Sequence, residues 1–338
     1  MDVRRAHLTT SCRALLLCSS VLLCACQDPP SPPSGAQDLA SPAGADLGAE
    51  PTADLAAQPD LAPYPDPLPG AGAVEKVLGG FLFTEGPYWL ADRGVLLFSD
   101  VQGNRVVELK PPAESKTYRM PSNNTNGLGR DRGGRLLFCE HSGRRLARQE
   151  ADGSIVALAE RWEGKRLSSP NDVITRSDGN IYFTDPPYGI PAGQMQELNF
   201  QGLFRLDPGG QLSLVDSGMN RPNGVALSPD ERTLYAVDTS SGQIRRYALD
   251  PGGAPQPQGP LATTGGGGDG IAVDDAGNLY VAASAGVRVF SAAGKDLGTL
   301  KVPEVPANVG FGDGDRRTLY ITARTSLYKA RMPIAGLP

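Results

Sequence analysis

The 338-residue chain is predicted to be all-β, a six-bladed β-propeller whose last blade is closed by a strand from the N-terminal side of the domain. Three observations carry that prediction. An amide or carboxylate opens a short apolar run six times: Glu85 in "TEGPYW", Asn126 in "NTNGLG", Asn171 in "SPNDVI", Asn223 in "RPNGVA", Asp269 in "GDGIAV" and Asn308 in "PANVGF". Successive members lie 41, 45, 52, 46 and 39 residues apart, the length of a four-stranded propeller blade. Gly134, Gly179 and Gly277 each follow their opening residue by eight positions, in turns such as "RSDGN" and "DDAGN" where Asp and Gly accept φ > 0.

The remaining elements follow in order. Each turn leads into a second apolar run, "LLFSD", "LLFCE", "IYFTD", "LYAVD", "LYVAAS" or "LYITA", and most units add a third, such as "RVVELK" or "VRVFS". Val, Leu, Tyr and Phe dominate these runs, and 42 Gly and 30 Pro punctuate the chain, which suits short strands and tight turns. The segment "AVEKVLGGFLF" precedes the first unit, and the last unit stops after "SLYKARM". The early strand is therefore expected to complete the last blade and remove an exposed edge. Residues 74–338 form one domain on this reading, not two.

The N-terminus has a different texture. Arg4, Arg5 and Arg13 precede or enter the apolar stretch "ALLLCSSVLLCA", which is too short to span a bilayer and reads as an export signal over residues 1–25. It ends in "LCAC", which resembles a bacterial lipobox with Cys26 as the lipidated residue; an ordinary cleaved signal is the alternative. Gln27 after Cys26 favours the outer membrane by the same resemblance. Residues 26–73 are Pro-, Ala- and Asp-rich, lack the apolar content to offset ordering entropy, and are expected to be a disordered tether. The chain is thus expected to be exported to the cell envelope, in the periplasm or at the outer membrane, touching the membrane only through its lipid. Four of five cysteines fall in the first 26 residues, so Cys139 alone cannot staple the domain. Its place on a strand favours core over reactivity. A net charge of −5 without a Lys/Arg block leaves no footprint for nucleic acid. A monomer acting on a small molecule is expected.

In a propeller, the residues that open the innermost strands aim at one shared cavity. Two carboxylates and several amide oxygens make a hard-oxygen set, which suits Ca²⁺, with Mg²⁺ or Mn²⁺ less suited and the donor chemistry arguing against Zn²⁺. Asn-Gly and Asp-Gly are also common turn dipeptides, but here the hairpin turns fall eight residues later, so that role is taken. His141 is the single histidine outside the signal, since His7 lies within it, which excludes a zinc site built on several histidines. No G-x-S-x-G elbow accompanies it. Arg144, Arg145 and Arg148 read as solvated strand charges. "DPPYGI" begins the longest insertion, where Tyr188 is a candidate substrate contact.

"FTEGPYW", "RLLFCEHSGRRLARQEADG", "SPNDVITRSDGNIYFTDPPYG", "FQGLFRLDPGG", "RPNGVALSPDERTLYAVD" and "GDGIAVDDAGNLYVA" resemble, in order, the senescence marker protein / gluconolactonase / luciferin-regenerating enzyme family, over about Val74 to Arg331. That resemblance implies a six-bladed propeller with a divalent metal, usually calcium, held by Glu85, Asn171, Asn223 and Asp269. Asn126 matches a position that contacts substrate or water, and His141 a position at the mouth of the site. It also implies a metal-dependent lactonase opening a sugar-acid lactone such as gluconolactone, with Asp269 as the base for water. His141 would orient the lactone or shuttle a proton, or else be a satisfied histidine at a strand end. Another ester or an organophosphate would fit the same ring, and a non-catalytic envelope propeller is the alternative from another class. The sequence departs from the family at "TTGGGGDG", a glycine run where a proline is usual, which predicts a looser loop before Asp269.

Overall fold

The computed structural model describes residues 64–337. The export signal, Cys26 and the tether up to residue 63 lie outside the described residues. Within them there is no helix, and so none long and apolar enough to cross a membrane.

Six four-stranded antiparallel sheets are arranged as the predicted propeller. Their innermost strands are Thr84–Leu90, Thr125–Arg130, Val173–Thr175, Pro222–Leu227, Ile271–Val273 and Pro306–Gly312. In blades one to five, the four strands follow one another in the chain. Blade six is different: its outermost strand is Glu75–Gly79, paired antiparallel with Ser326–Arg331 (Glu75 opposite Lys329). The two ends of the propeller thus share one sheet. A two-stranded ribbon, Arg161–Trp162 with Lys165–Arg166, intervenes between blades two and three; its turn residues Glu163 and Gly164 both have positive φ (48° and 79°).

The apolar core lies between blades. One cluster joins Leu137, Cys139 and Leu146 of blade two to Val173, Phe183 and Phe204 of blade three. A second joins Tyr182 and Leu203 to Val225, Leu234 and Tyr247, and a third closes the ring by packing Leu96 and Phe98 of blade one on Tyr320 and Leu327 of blade six. Each such side chain contributes roughly 1.5–3 kcal/mol on leaving water, so the blades depend on one another. Cys139 is fully buried here, and burial raises its thiol well above its usual range, as a core residue should be.

The packed chain begins before Val74. Leu68 and Ala71, in the stretch expected to be tether, lie on the core between blades five and six, and Gly72 N–H donates to Arg331 O at 2.7 Å. At the other end, Leu337 N–H donates to Val273 O at 2.8 Å, so the C-terminal segment crosses back to blade five.

Candidate functional site

The six opening residues form a belt. Gly86, Gly127, Gly224, Gly270 and Gly310 lie on, or beside, successive innermost strands, and an added Cβ at each would strike the next strand. At Gly127 it would stand 2.5 Å from Asn171 O, and at Gly224 2.6 Å from Asp269 O. Backbone bonds complete the belt: Gly127 N–H to Asn171 O at 2.7 Å, Gly224 N–H to Asp269 O at 3.1 Å, and Gly270 N–H to Ala307 O at 2.9 Å. Gly86, Gly127, Gly224 and Gly270, each next after its opening residue, and Gly310, two after Asn308, therefore serve close strand approach, not a hairpin turn. Blade three has Asp172 at that position. Its Oδ1 accepts from Val173 N–H at 3.0 Å and its Oδ2 from Val225 N–H at 3.1 Å, bridging blades three and four.

In blades one, three and four, the loop that leads into the belt is held by the acid that ends the second strand. Asp100 Oδ1 accepts from the N–H groups of Leu82 and Phe83 at 2.9 and 3.2 Å. Asp185 accepts from Ser168 and Ser169 at 2.7 and 2.8 Å, and Asp238 Oδ2 from Asn220 at 3.0 Å. One residue earlier, Ser99 Oγ and Thr184 Oγ1 each donate at 2.7 Å to the carbonyls of Asn126 and Asn223.

Asn126 Oδ1, Asn171 Oδ1, Asn223 Oδ1 and Asp269 Oδ1 are all buried and accept no hydrogen bond. A buried acceptor left without a donor costs on the order of 1–3 kcal/mol, and four in one belt call for a shared partner. The charges point the same way. Burial pushes Glu85 up to about 7, and Asp172 adds to the rise, while Gly86 N–H and the side-chain amides of Asn308 and Asn126 oppose it. Asp269 is pushed well above the carboxylate range, first by burial and then by Glu85 and Asp172; the Asn223 amide and Arg324 act in the other direction. Three carboxylates are thus crowded together, with one flanking arginine and four idle oxygens. Oxygen donors of this kind fit a hard divalent cation. Among the described residues, no group of three His, Cys, Asp or Glu side chains forms a metal cluster, so the fit rests on amide oxygens as much as on carboxylates.

The glycine run before Asp269 turns through left-handed φ at Gly265, Gly266 and Gly267 (79°, 132° and 63°). Asp269 itself is nonetheless tied down, its N–H donating to Ala282 O at 2.8 Å. Asn308 lies against Gly270, and its Oδ1 accepts from Val309 N–H at 2.8 Å, so that oxygen is already partnered.

His141 is 5% exposed, its Nε2 has no partner, and burial lowers its pKa to about 4. Gly189 of the long insertion sits directly on it, where a Cβ would be 2.2 Å from that of His141. Tyr188, next in the chain, is 45% exposed; burial raises its phenol, Asp269 raises it further, and Thr239 and Asn223 lower it. Tyr188 thus belongs with Asn223 and Asp269. His141 is set behind it, under the same loop.

Arg144 is not the solvated charge its sequence suggests. It is 1% exposed, with Nε donating to Leu167 O and Ser168 O at 2.8 and 3.2 Å and Nη1 to Gln194 Oε1 at 3.2 Å. It pins the insertion from below. Arg145 and Arg148 are ion-paired to Glu140 (2.6 Å) and Glu150 (2.7 Å). A channel of about 290 Å³ lies on the far side of the belt, lined by residues such as Trp89, Val173 and Ile271 that follow the opening residues, and Leu337 reaches into it. Sequence reasoning missed Asp172, whose signal was its standing where four of the other five units have glycine.

Residues 83–325 match the family described as SMP-30/Gluconolactonase/LRE-like region. The chain is 32% identical to a gluconolactonase of Zymomonas mobilis over 78% of its own length and 82% of that protein. It is 32% identical to a 6-deoxy-6-sulfogluconolactonase of Pseudomonas putida, over 75% and 88% of the two chains. A solved gluconolactonase from Xanthomonas campestris superposes with a TM-score of 0.73 at 34% identity, covering 78% of this chain and 90% of that one. A calcium-binding regucalcin from Agrobacterium tumefaciens shares the fold (TM-score 0.66, 19% identity, 79% and 95% covered).

Proposed function

Because the chain belongs to the SMP-30/gluconolactonase/LRE-like family, we propose that it hydrolyses a sugar-acid lactone with the help of a divalent cation. The observation that carries the reading is the set of four buried, unpartnered oxygens beside crowded carboxylates. Glu85, Asn171, Asn223 and Asp269 would hold the ion, Ca²⁺ first, and Asn126 would face the substrate. Bound there, the cation would supply Lewis-acid polarisation of the lactone carbonyl and hold the neighbouring carboxylates in their charged form.

The protein's own groups do the rest. Asp269 Oδ1 takes a proton from water as the water oxygen attacks the carbonyl carbon. The bond from that carbon to the ring oxygen then breaks, and the ring oxygen takes up the proton, giving the open hydroxy acid. Glu85 contributes charge, while Asn171 and Asn223 contribute dipoles without more charge. Tyr188 closes one wall of the mouth, and His141, neutral at ordinary pH, is available to orient a lactone hydroxyl. One chain supplies every donor on this reading, so the site calls for no second subunit. The "LCAC" segment would attach it through Cys26 to the envelope, which a shift of Cys26→Ala from membrane to soluble fractions would test.

The test of function is a lactone panel assayed with and without chelator, on wild type, Glu85→Ala and Asp269→Ala. Hydrolysis should disappear with chelator and return on adding Ca²⁺, and either substitution should remove most of it. Turnover that survives chelator and both substitutions would refute the metal mechanism.

A further inference from the structure

Two arginines on the blades either side of the one that carries Asp269 share an unusual setting. Arg221 precedes Asn223 by two residues in blade four, and Arg324 stands in the loop of blade six between Thr318–Ala323 and Ser326–Arg331. Both are exposed, and both hold left-handed backbone (φ 59° and 46°), uncommon for a residue with a side chain. Their carbonyls are fixed: Arg221 O accepts from Thr239 N–H at 3.1 Å, and Arg324 O from Thr84 N–H at 2.8 Å, one residue from Glu85. Thr239 Oγ1 in turn donates to Gly268 O at 2.7 Å, one residue from Asp269.

Each guanidinium lies over a ring at the mouth, Arg221 above Tyr188 and Arg324 above Phe83, both at 5.9 Å from the centroid. Neither makes an ion pair or a side-chain hydrogen bond among the described residues, whereas Arg119 and Arg145 are both paired to Glu140. A divalent cation in the belt would offset Glu85 and Asp269. The two guanidinium groups then remain as uncompensated positive charge above it, held in place by aromatic faces and ready for planar, two-point contact with an oxyanion.

We propose that Arg221 and Arg324 form an oxyanion clamp across the mouth, so that the favoured lactones carry a carboxylate, sulfonate or phosphate remote from the ring ester. This rests on the lactonase reading above and names the substrate class within it.

The test uses the Ca²⁺-loaded full chain and compares kcat/KM for gluconolactone with that for analogues bearing each of the three anions at the terminal carbon. Wild type should prefer at least one anionic analogue, and which one it prefers identifies the oxyanion. The ratio of anionic to neutral kcat/KM should fall about tenfold in Arg221→Gln or Arg324→Gln, further in the double variant, and at high salt. Arg324→Lys should retain part of the preference. A wild type that prefers the neutral lactone, or substitutions that scale every lactone alike, would overturn the clamp. If no lactone is turned over, the lactonase reading fails, and calorimetry with gluconate and its terminally phosphorylated form decides the clamp separately. Tighter binding of the phosphorylated acid, lost in the double variant, supports it; equal binding of the two acids refutes it.

Discussion

Asp172 Oδ2 accepts a hydrogen bond from Val225 N–H at 3.1 Å, so a carboxylate of one blade holds the innermost strand of the next. Its other oxygen caps Val173 N–H, and the group is buried beside Glu85 and Asp269. Removing it relieves like-charge repulsion but strands two buried donors, and the second effect is larger. Asp172→Ala should therefore destabilise the fold by about 2–4 kcal/mol, read as a lower melting temperature. A variant as stable as wild type would mean that the bridge contributes nothing.

Close strand approach is a separate demand. Gly127→Ala would place a methyl group 2.5 Å from Asn171 O, whereas an added Cβ at Gly134, at φ +78° in a hairpin turn, meets nothing within 4 Å. Gly127→Ala should cost about 1–3 kcal/mol by overpacking and also weaken cation binding, because the displaced carbonyl belongs to Asn171, one of the ligands proposed above. Gly134→Ala should cost about 1–2 kcal/mol from backbone strain alone and leave cation binding as it is. Calorimetry on both variants separates the two.

The histidine should be silent across the ordinary pH range. Burial depresses His141 to about 4 from 6.5. The neutral ring is the one the fold favours, so its contribution to stability is present above about pH 6.5 and is lost as pH falls through about 4. Nitrogen-15 NMR of the imidazole should show it neutral at pH 5.5, and the activity profile should have no histidine limb near neutrality. A transition close to 6.5 would contradict this burial.

Glu85 behaves oppositely. Its folded pKa is raised from 4.5 to about 7, so its contribution to stability is full below about pH 4.5 and is lost as pH rises through about 7. The cation-free protein should melt at lower temperature at pH 8 than at pH 6. Saturating Ca²⁺ should reverse that order, adding about 3 kcal/mol at a hundredfold excess over Kd. Binding at pH 6 should release protons, measurable in buffers of differing ionisation enthalpy.

The propeller was legible because each unit repeats a polar residue before a short apolar run, with a turn glycine eight residues on in three of them. The closing strand was legible from the same count, since the last unit lacked one. What stayed hidden depends on contacts distant in the chain. "GRRLARQ" gives no sign that Arg144 is buried, because its partners are the carbonyls of Leu167 and Ser168 and the insertion's Gln194. Leu68 looked like tether because the core it covers is built from blades five and six. Asp172 was masked by the motif around it. Its role emerges only once Val225, 53 residues on, is brought alongside.

Titration of chelator-treated protein with Ca²⁺, in wild type and in Glu85→Gln/Asp269→Asn, addresses the central matter directly. The oxygens left idle by the protein should take up one ion per chain, with proton release below neutrality, and the paired substitution should abolish the heat. Wild type that binds no divalent ion, or a double variant that binds it as well, would mean the belt of oxygens is not a cation site.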